Sequence, residues 1–261
     1  MSRTKIYFVS DLHLGLNAVH TSRERELRFV KWLDEISKDA TALYILGDLF
    51  DFWFEYKHVV PKGFVRTLGK LASLKDAGLD VQFFTGNHDQ WMRDYFETEL
   101  GIPVHRKPRS LDIDGKKFIV GHGDGLGPGD AGYKAMKRVF TNPAANWAFA
   151  RLHPNFAIWL GNKWSRNNRL LNGKHEEQLQ NESNEWLIGF CRDVLKKEHV
   201  DFFIFGHRHL ALDYNLSERS RYINLGDWLS FYSYAVFDGN NVALKYLDND
   251  DIVPKSTNSD K

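Results

Sequence analysis

Five short polar clusters carry the residues of this chain that can do chemistry, and each follows an apolar run. Asp11-Leu12-His13 follows Ile6 to Ser10, and Gly47-Asp48-Leu49-Phe50-Asp51 follows Ala42 to Leu46. Gly86-Asn87-His88-Asp89 follows Val81 to Thr85, Gly121-His122-Gly123-Asp124 follows the run at Phe118, and Gly206-His207-Arg208-His209 follows Phe202 to Phe205. Carboxylate, imidazole and amide donors without a thiolate suit borderline divalent ions such as manganese, iron or zinc. Two such ions, roughly 3.5–4 Å apart, can clamp a phosphoryl group for in-line displacement. A carboxylate is needed between cations that repel each other, and Asp48 is the natural candidate. Asp11 and His13, two apart on a strand extension, point the same way. His207 and His209 share that spacing and can split between two ions. Singly, each cluster is also what an ordinary turn looks like, since Gly and Asp suit turn geometry. Five together, each at a strand end, favour the metal reading.

The elements that must position these clusters alternate. The five apolar runs read as buried strands. A helix follows the first, opened by the capping pair Thr21 and Glu24 and continued by Leu27, Val30, Leu33 and Ile36. Another follows the second strand, with Pro61 near its start, Phe64, Leu68, Leu71 and Leu74 on one face, and Gly78 at its C-terminal cap. Asp114-Gly115 signals a hairpin. After Phe205 the pattern is β-rich and predicts a closing meander, with Gly239-Asn240-Asn241 as its last turn. Strand ends of an open α/β sheet converge on one edge, so five clusters should meet in one place. Trp228, in Gly226-Asp227-Trp228, is a candidate for lining that place.

Composition narrows the class. The 261 residues suit one large domain with an insertion, here 1–247, and the polar, aperiodic segment 248–261 reads as a flexible tail. The single cysteine, Cys191, excludes an internal disulfide and reads as a buried small residue. No apolar run is long enough to span a bilayer, and no signal-peptide pattern precedes Ile6, so a cytoplasmic protein is expected. A net charge of +1 gives no global attraction to nucleic acid, and none is expected as a partner.

In this order the clusters resemble the signature of the calcineurin-like metallophosphoesterases: D-x-H, G-D-x-x-D, G-N-H-D, G-H and G-H-x-H. The resemblance runs from Asp11 to His209 and implies a four-layer αββα sandwich. It implies a first metal on Asp11, His13, Asp48 and His209, and a second on Asp48, Asn87, His122 and His207. It places His88 on a phosphoryl oxygen or as proton donor to the leaving group, with Asp51 or Asp89 fixing its orientation. The implied reaction is hydrolysis of a phosphoester or phosphoanhydride by metal-activated water.

One interval exceeds the others. Asp11 to Asp48, Asp48 to Asn87 and Asn87 to His122 are 37, 39 and 35 residues, whereas His122 to His207 is 85. From Tyr133 to Lys174 this insertion has eight Lys or Arg and no Asp or Glu, interleaved with Phe140, Trp147, Phe149, Phe156, Trp159 and Trp164. That pattern fits an interfacial membrane contact or a groove for an anionic amphiphile. It fits equally a helical pair packed on the core with its cations solvated. Single-stranded nucleic acid is a third, less favoured reading in a near-neutral chain.

The run Gly47-Asp48-Leu49-Phe50-Asp51-Phe52-Trp53, with the basic, aromatic insertion, looks like the UDP-2,3-diacylglucosamine diphosphatase family of lipid A synthesis. That resemblance implies cleavage of the nucleotide-linked diacyl sugar to UMP and 2,3-diacylglucosamine 1-phosphate, and manganese as the cofactor. It also implies a helical lid over about 130–175 and peripheral attachment to the anionic cytoplasmic face of the inner membrane. Asn87, His88, Asp130, Ser165, Arg169 and His207 would contact substrate. The best-known branch of the family has Arg after the motif Asn, where this chain has His88. Arg stabilises phosphate charge, whereas His can also donate a proton. The alternatives are a general phosphodiesterase or protein phosphatase with a structural insertion, and a metal-binding scaffold without catalysis.

Overall fold

Strands buried on both faces need cover on both sides, and two stacked sheets supply it. The computed structural model describes residues 4–127, 131–176 and 186–247. One sheet runs β11 (Val242–Tyr246), β10 (Ser233–Phe237), β1 (Lys5–Val9), β2 (Ala40–Leu46), β3 (Asp80–Phe84) and β4 (Val104–His105). The other runs β5 (Arg109–Ile113), β6 (Lys116–Val120), β7 (Phe202–Phe205), β9 (Ser220–Leu225) and β8 (Ala211–Ser217). β1–β2–β3–β4 and β6–β7–β9 pair in parallel, while β1–β10, β10–β11, β5–β6 and β8–β9 are antiparallel.

Period-two alternation assigns each side chain to a layer. Ile6, Phe8, Tyr44, Leu46, Phe118, Val120, Phe202 and Ile204 fill the space between the sheets. Tyr7, Val9, Leu43, Ile45 and Phe83 face outward under α1 (Ser22–Ile36), α2 (Val65–Asp76) and α3 (Tyr95–Glu99), against Phe29, Trp32, Leu68 and Phe96. Ile119, Phe203 and Phe205 face the opposite way, under Leu187, Ile188 and the buried Cys191 of α7 (Trp186–Leu195). The result is four layers, αββα. Each fully buried Leu, Ile or Phe stabilises it by about 1.5–3 kcal/mol. Three further helices, α4 (Ala131–Phe140), α5 (Pro143–Phe149) and α6 (Pro154–Glu176), come from the long interval.

Several local expectations meet the structure directly. Thr21 and Glu24 form a reciprocal capping box on α1. Asp114 and Gly115 both take positive φ, 49° and 76°, as a two-residue hairpin turn requires.

Others need correction. Pro61 lies outside α2, which begins at Val65 after a left-handed Phe64. The cap comes from a neighbouring helix instead: Glu26 Oε1 accepts from Arg66 N at 3.1 Å and Thr67 N at 3.3 Å. The C-terminal strands are not one meander. β8–β9 and β10–β11 are hairpins in different sheets, because β9 joins β7 in parallel and β10 joins β1 antiparallel. Nor do the five clusters share a sheet. Three leave β1, β2 and β3, and two leave β6 and β7, so the centre forms where two sheet edges face each other.

Candidate metal centre

The chain reaches the centre through strained backbone. Asp11, His13, Asp48, His207 and His209 all have left-handed φ, between 47° and 70°. Asp and His tolerate this region better than most residues, yet each costs on the order of 1 kcal/mol or more and must be held by its surroundings. The preceding glycines are set by close approach. A Cβ on Gly86 would stand 2.2 Å from Asp48 Oδ1, and one on Gly206 would stand 2.3 Å from Asp11 Oδ2.

Two groups of donor atoms result. In the first, Asp11 Oδ1 lies 3.6 Å from His13 Nε2 and 3.5 Å from His209 Nε2. In the second, Asn87 Oδ1 lies 3.1 Å from His122 Nε2 and 2.9 Å from His207 Nδ1. Asp48 Oδ2 stands between them, 3.8 Å from His13 Nε2 and 3.3 Å from His122 Nε2. The other carboxylate oxygens are tied back to the main chain: Asp11 Oδ2 accepts from His207 N and Asp48 Oδ1 from His88 N, both at 2.9 Å. His122 Nδ1 donates to Leu46 O at 2.8 Å, so Nε2 is the nitrogen turned toward Asp48 and Asn87.

Asp11 Oδ1 is buried and receives no hydrogen bond. A buried carboxylate oxygen in that state, facing two imidazole nitrogens, is arranged for a cation. The local electrostatics agree. Burial pushes Asp11 up, outweighing His209 and His122. At Asp48 burial acts upward too, but His122 and His88 hold the carboxyl well below the usual range. Burial would lower His122, yet Asp48 lifts it to about 10. His207 falls to about 3 through burial and the neighbouring His122.

His88 sits beside this set. Its Nδ1 donates to Asp51 O at 2.8 Å, and its ring lies edge-on to His13 with centroids 4.8 Å apart. Asp51 Oδ1 is 3.6 Å from His13 Nδ1 and 3.9 Å from His88 Nδ1, and Asp51 Oδ2 accepts from Ser165 Oγ at 2.9 Å. The Asp89 carboxylate turns inward, accepting from Gly86 N at 2.6 Å and Leu49 N at 2.9 Å. Burial and the Asp48 charge raise it to about 7. Asp130 lies outside the described residues, and Arg169 falls on α6 with its side chain outside them.

The basic insertion covers this edge with a mixed face. Beneath, Phe149 packs at a tilt against Phe52, Phe54 and Trp91, Phe140 meets Trp91 and Trp164 edge-to-face, and Gly161 admits the Phe52 ring. Trp91 Nε1 donates to Phe140 O at 2.7 Å, and Lys137 pairs with Asp124. A cleft between insertion and core is lined by His88, Asn87, Asp51, Trp91, Trp164 and Ser165. On the outer face Trp147, Phe156 and Trp159 are 61%, 51% and 50% exposed, with Arg151 over Trp147 and Lys163 over Trp159.

Two residues at the centre escape sequence reasoning. Trp228 does not line the site; it is wholly buried, with Nε1 donating to Ser233 O at 3.0 Å. Its neighbour Asp227 reaches His209 Nδ1 at 3.1 Å. The signal was there, since Leu225-Gly226-Asp227 repeats the strand-Gly-Asp pattern of Leu46-Gly47-Asp48. Arg25, fully buried in α1, donates to Leu12 O at 2.7 Å, His13 O at 2.9 Å, Leu16 O at 2.5 Å and His20 O at 3.2 Å. Nothing in its helical spacing marks it.

A two-sheet α/β sandwich with acidic, imidazole and amide donors gathered at its strand ends defines a metal-dependent phosphoesterase. The chain belongs to the calcineurin-like phosphoesterase family, whose pattern matches residues 4–211. It is 40% identical over 258 residues to the UDP-2,3-diacylglucosamine hydrolase of Porphyromonas gingivalis (strain ATCC BAA-308 / W83), covering 94% of this chain and 98% of that protein. The hydrolase of the same name from Hahella chejuensis (strain KCTC 2396) is 29% identical over 258 residues, covering 94% of this chain and 98% of that protein. Among solved structures, the E. coli phosphoesterase Yfce aligns over 94% of this chain and 93% of that chain, with TM-score 0.46 and 17% identity.

Proposed function

We propose that this protein hydrolyses the diphosphate of UDP-2,3-diacylglucosamine, releasing UMP and 2,3-diacylglucosamine 1-phosphate. The observation that carries the reading is the pair of donor groups meeting at Asp48, beside a cleft whose far wall is the aromatic underside of the insertion. The 40% identity to a hydrolase named for that substrate supports it.

In this reading Asp11, His13, Asp48 and His209 hold one divalent ion, and Asp48, Asn87, His122 and His207 hold the other. Manganese is our assignment, with iron or zinc compatible with the same donors. Bound, the ions supply Lewis acidity toward phosphoryl oxygen and make water nucleophilic near neutral pH. The protein does the rest by placement. With Nδ1 committed to Asp51 O, His88 has Nε2 left to contact a phosphoryl oxygen or protonate the leaving group. Asp51 links this imidazole to His13 and, through Ser165, to α6. Asn87, His88, Asp130, Ser165, Arg169 and His207 are the substrate contacts we assign.

Helices α4 to α6 act in this reading as a lid over the acyl chains. Their exposed Trp147, Phe156 and Trp159, with Arg151 and Lys163, suit peripheral attachment to an anionic membrane at its cytoplasmic face. No helix among the described residues is long and apolar enough to cross a membrane.

The test is a manganese-supplemented assay on UDP-2,3-diacylglucosamine beside bis(p-nitrophenyl) phosphate, with Asp48→Ala as control. UMP release far faster than turnover of the small ester is expected. Turnover of the small ester alone would keep the metal centre and overturn the substrate. A protein that takes up no metal and turns over neither would be a scaffold.

A further inference from the structure

The turn leaving β9 touches two of the donor residues at once. Trp228 N donates to Asp11 O at 3.0 Å, and Asp227 Oδ2 lies 3.1 Å from His209 Nδ1. Asp227 is 5% exposed, and its Oδ1 accepts from the main-chain N–H groups of Leu229, Ser230 and Phe231 at 3.0, 2.7 and 3.2 Å. One oxygen is thus committed to the backbone and the other is aimed at His209. The turn has little slack. Gly226 has φ +70°, and a Cβ there would stand 2.5 Å from Ser233 Oγ. An ionised carboxylate only accepts hydrogen bonds, so the proton of a neutral His209 belongs on Nδ1. Its Nε2 then carries a lone pair, 3.5 Å from Asp11 Oδ1, with the ring stacked on that of His13.

We propose that Asp227 is a positioning residue of the metal centre, which fixes His209 as the Nδ1–H tautomer and aims its Nε2 at the metal position shared with Asp11 and His13. The inference rests on the reading of that group as a metal position. An outer carboxylate of this kind sets ring orientation and ligand basicity, and its loss costs about 10- to 100-fold in metal affinity. The loss falls on that position, not on the one built from Asn87, His122 and His207.

Asp227→Asn separates this role from a structural one. The amide oxygen can keep the three main-chain bonds, while the NH2 group now faces His209 Nδ1. That nitrogen must then accept, the proton moves to Nε2, and an Nε2–H cannot ligate. Titration of metal-free protein with manganese, followed calorimetrically, is expected to show two ions on the wild type. On Asp227→Asn one of the two should bind about 10- to 100-fold more weakly, with the thermal midpoint of the metal-free protein little changed. Nitrogen-15 spectra of the metal-free wild type should show His209 protonated at Nδ1. Two ions on Asp227→Asn at wild-type affinity would overturn the proposal, as would a wild-type His209 protonated at Nε2, a result that needs no variant to fold. A wild type that takes up no manganese would instead overturn the metal reading beneath it.

Discussion

His122 Nε2 faces Asp48 Oδ2 at 3.3 Å from the opposite sheet. Asp48 leaves β2 and His122 leaves β6, so this contact exists only when both sheets are in place. Asp48→Asn removes the one carboxylate standing between the two donor groups. Hydrolysis is expected to fall by about three orders of magnitude, since residues that act as a unit fail together. Steady-state kinetics with metal analysis on the same sample checks this; near-normal turnover would remove Asp48 from its bridging place.

Chelation should act on stability as well as activity. Ions that bind only the native state stabilise it by about 2.7 kcal/mol when present at a hundred times Kd. For a chain of this size each kcal/mol moves Tm by roughly 2–4 °C. EDTA is therefore expected to lower Tm by several degrees and manganese to restore it, read by scanning calorimetry. An unchanged Tm would mean the native state has no metal to lose.

His122 sets a pH signature on the metal-free protein. Asp48 raises its pKa to about 10, so its folded value lies above the unfolded value of 6.5. The stability it contributes is fully present below pH 6.5 and is lost as pH rises toward 10. A metal ion must also displace that proton. Apparent affinity should therefore climb with pH up to about 10, by as much as tenfold per unit, with proton release on binding. Calorimetric titration in buffers of different ionisation enthalpy measures the released proton; a pH-independent affinity would contradict the assignment.

Arg25 holds the loop that carries Asp11 and His13. Arg25→Met takes the guanidinium from four main-chain carbonyls; His13 O keeps Leu16 N and His20 O keeps Ala18 N, whereas Leu12 O and Leu16 O lose their donor, each costing about 1–3 kcal/mol when buried. A loss of roughly 3 kcal/mol or more is expected in urea unfolding, with weaker metal binding in what remains folded. A neutral effect would show that water replaces the guanidinium there.

The outer aromatics of the insertion should matter to membranes. Changing Trp147 and Trp159 to Ser removes the two exposed indoles that carry cations above them. Co-sedimentation with phosphatidylglycerol-containing vesicles is expected to fall severalfold, while bis(p-nitrophenyl) phosphate turnover serves as the reference for an intact centre. Unchanged sedimentation would assign these rings to another role.

Much of this was legible in the chain itself. Asp11, His13, Asp48, Asn87, His122, His207 and His209 stand at strand ends because alternating apolar runs stop where Gly and polar residues begin. What stayed hidden depends on partners far away in sequence. Glu26 caps α2 from 40 residues upstream, and Asp227, although its strand-Gly-Asp setting is visible, meets His209 only because β9 pairs beside β7. Arg25 carries no mark in the sequence because only the fold brings four carbonyls around it. The division of the last four strands between two sheets is likewise decided by pairing with β1 and β7.

The spread of the centre over both sheets has a consequence in time. During synthesis the donors emerge in the order Asp11, His13, Asp48, Asn87, His122, His207 and His209, the last two after the long insertion. A nascent polypeptide that has displayed only β1 to β4 offers an incomplete cage, with Asp11 lacking His209 and Asp48 lacking His122. The full donor set therefore comes together only once His207 and His209 have been made and β7 has joined β6.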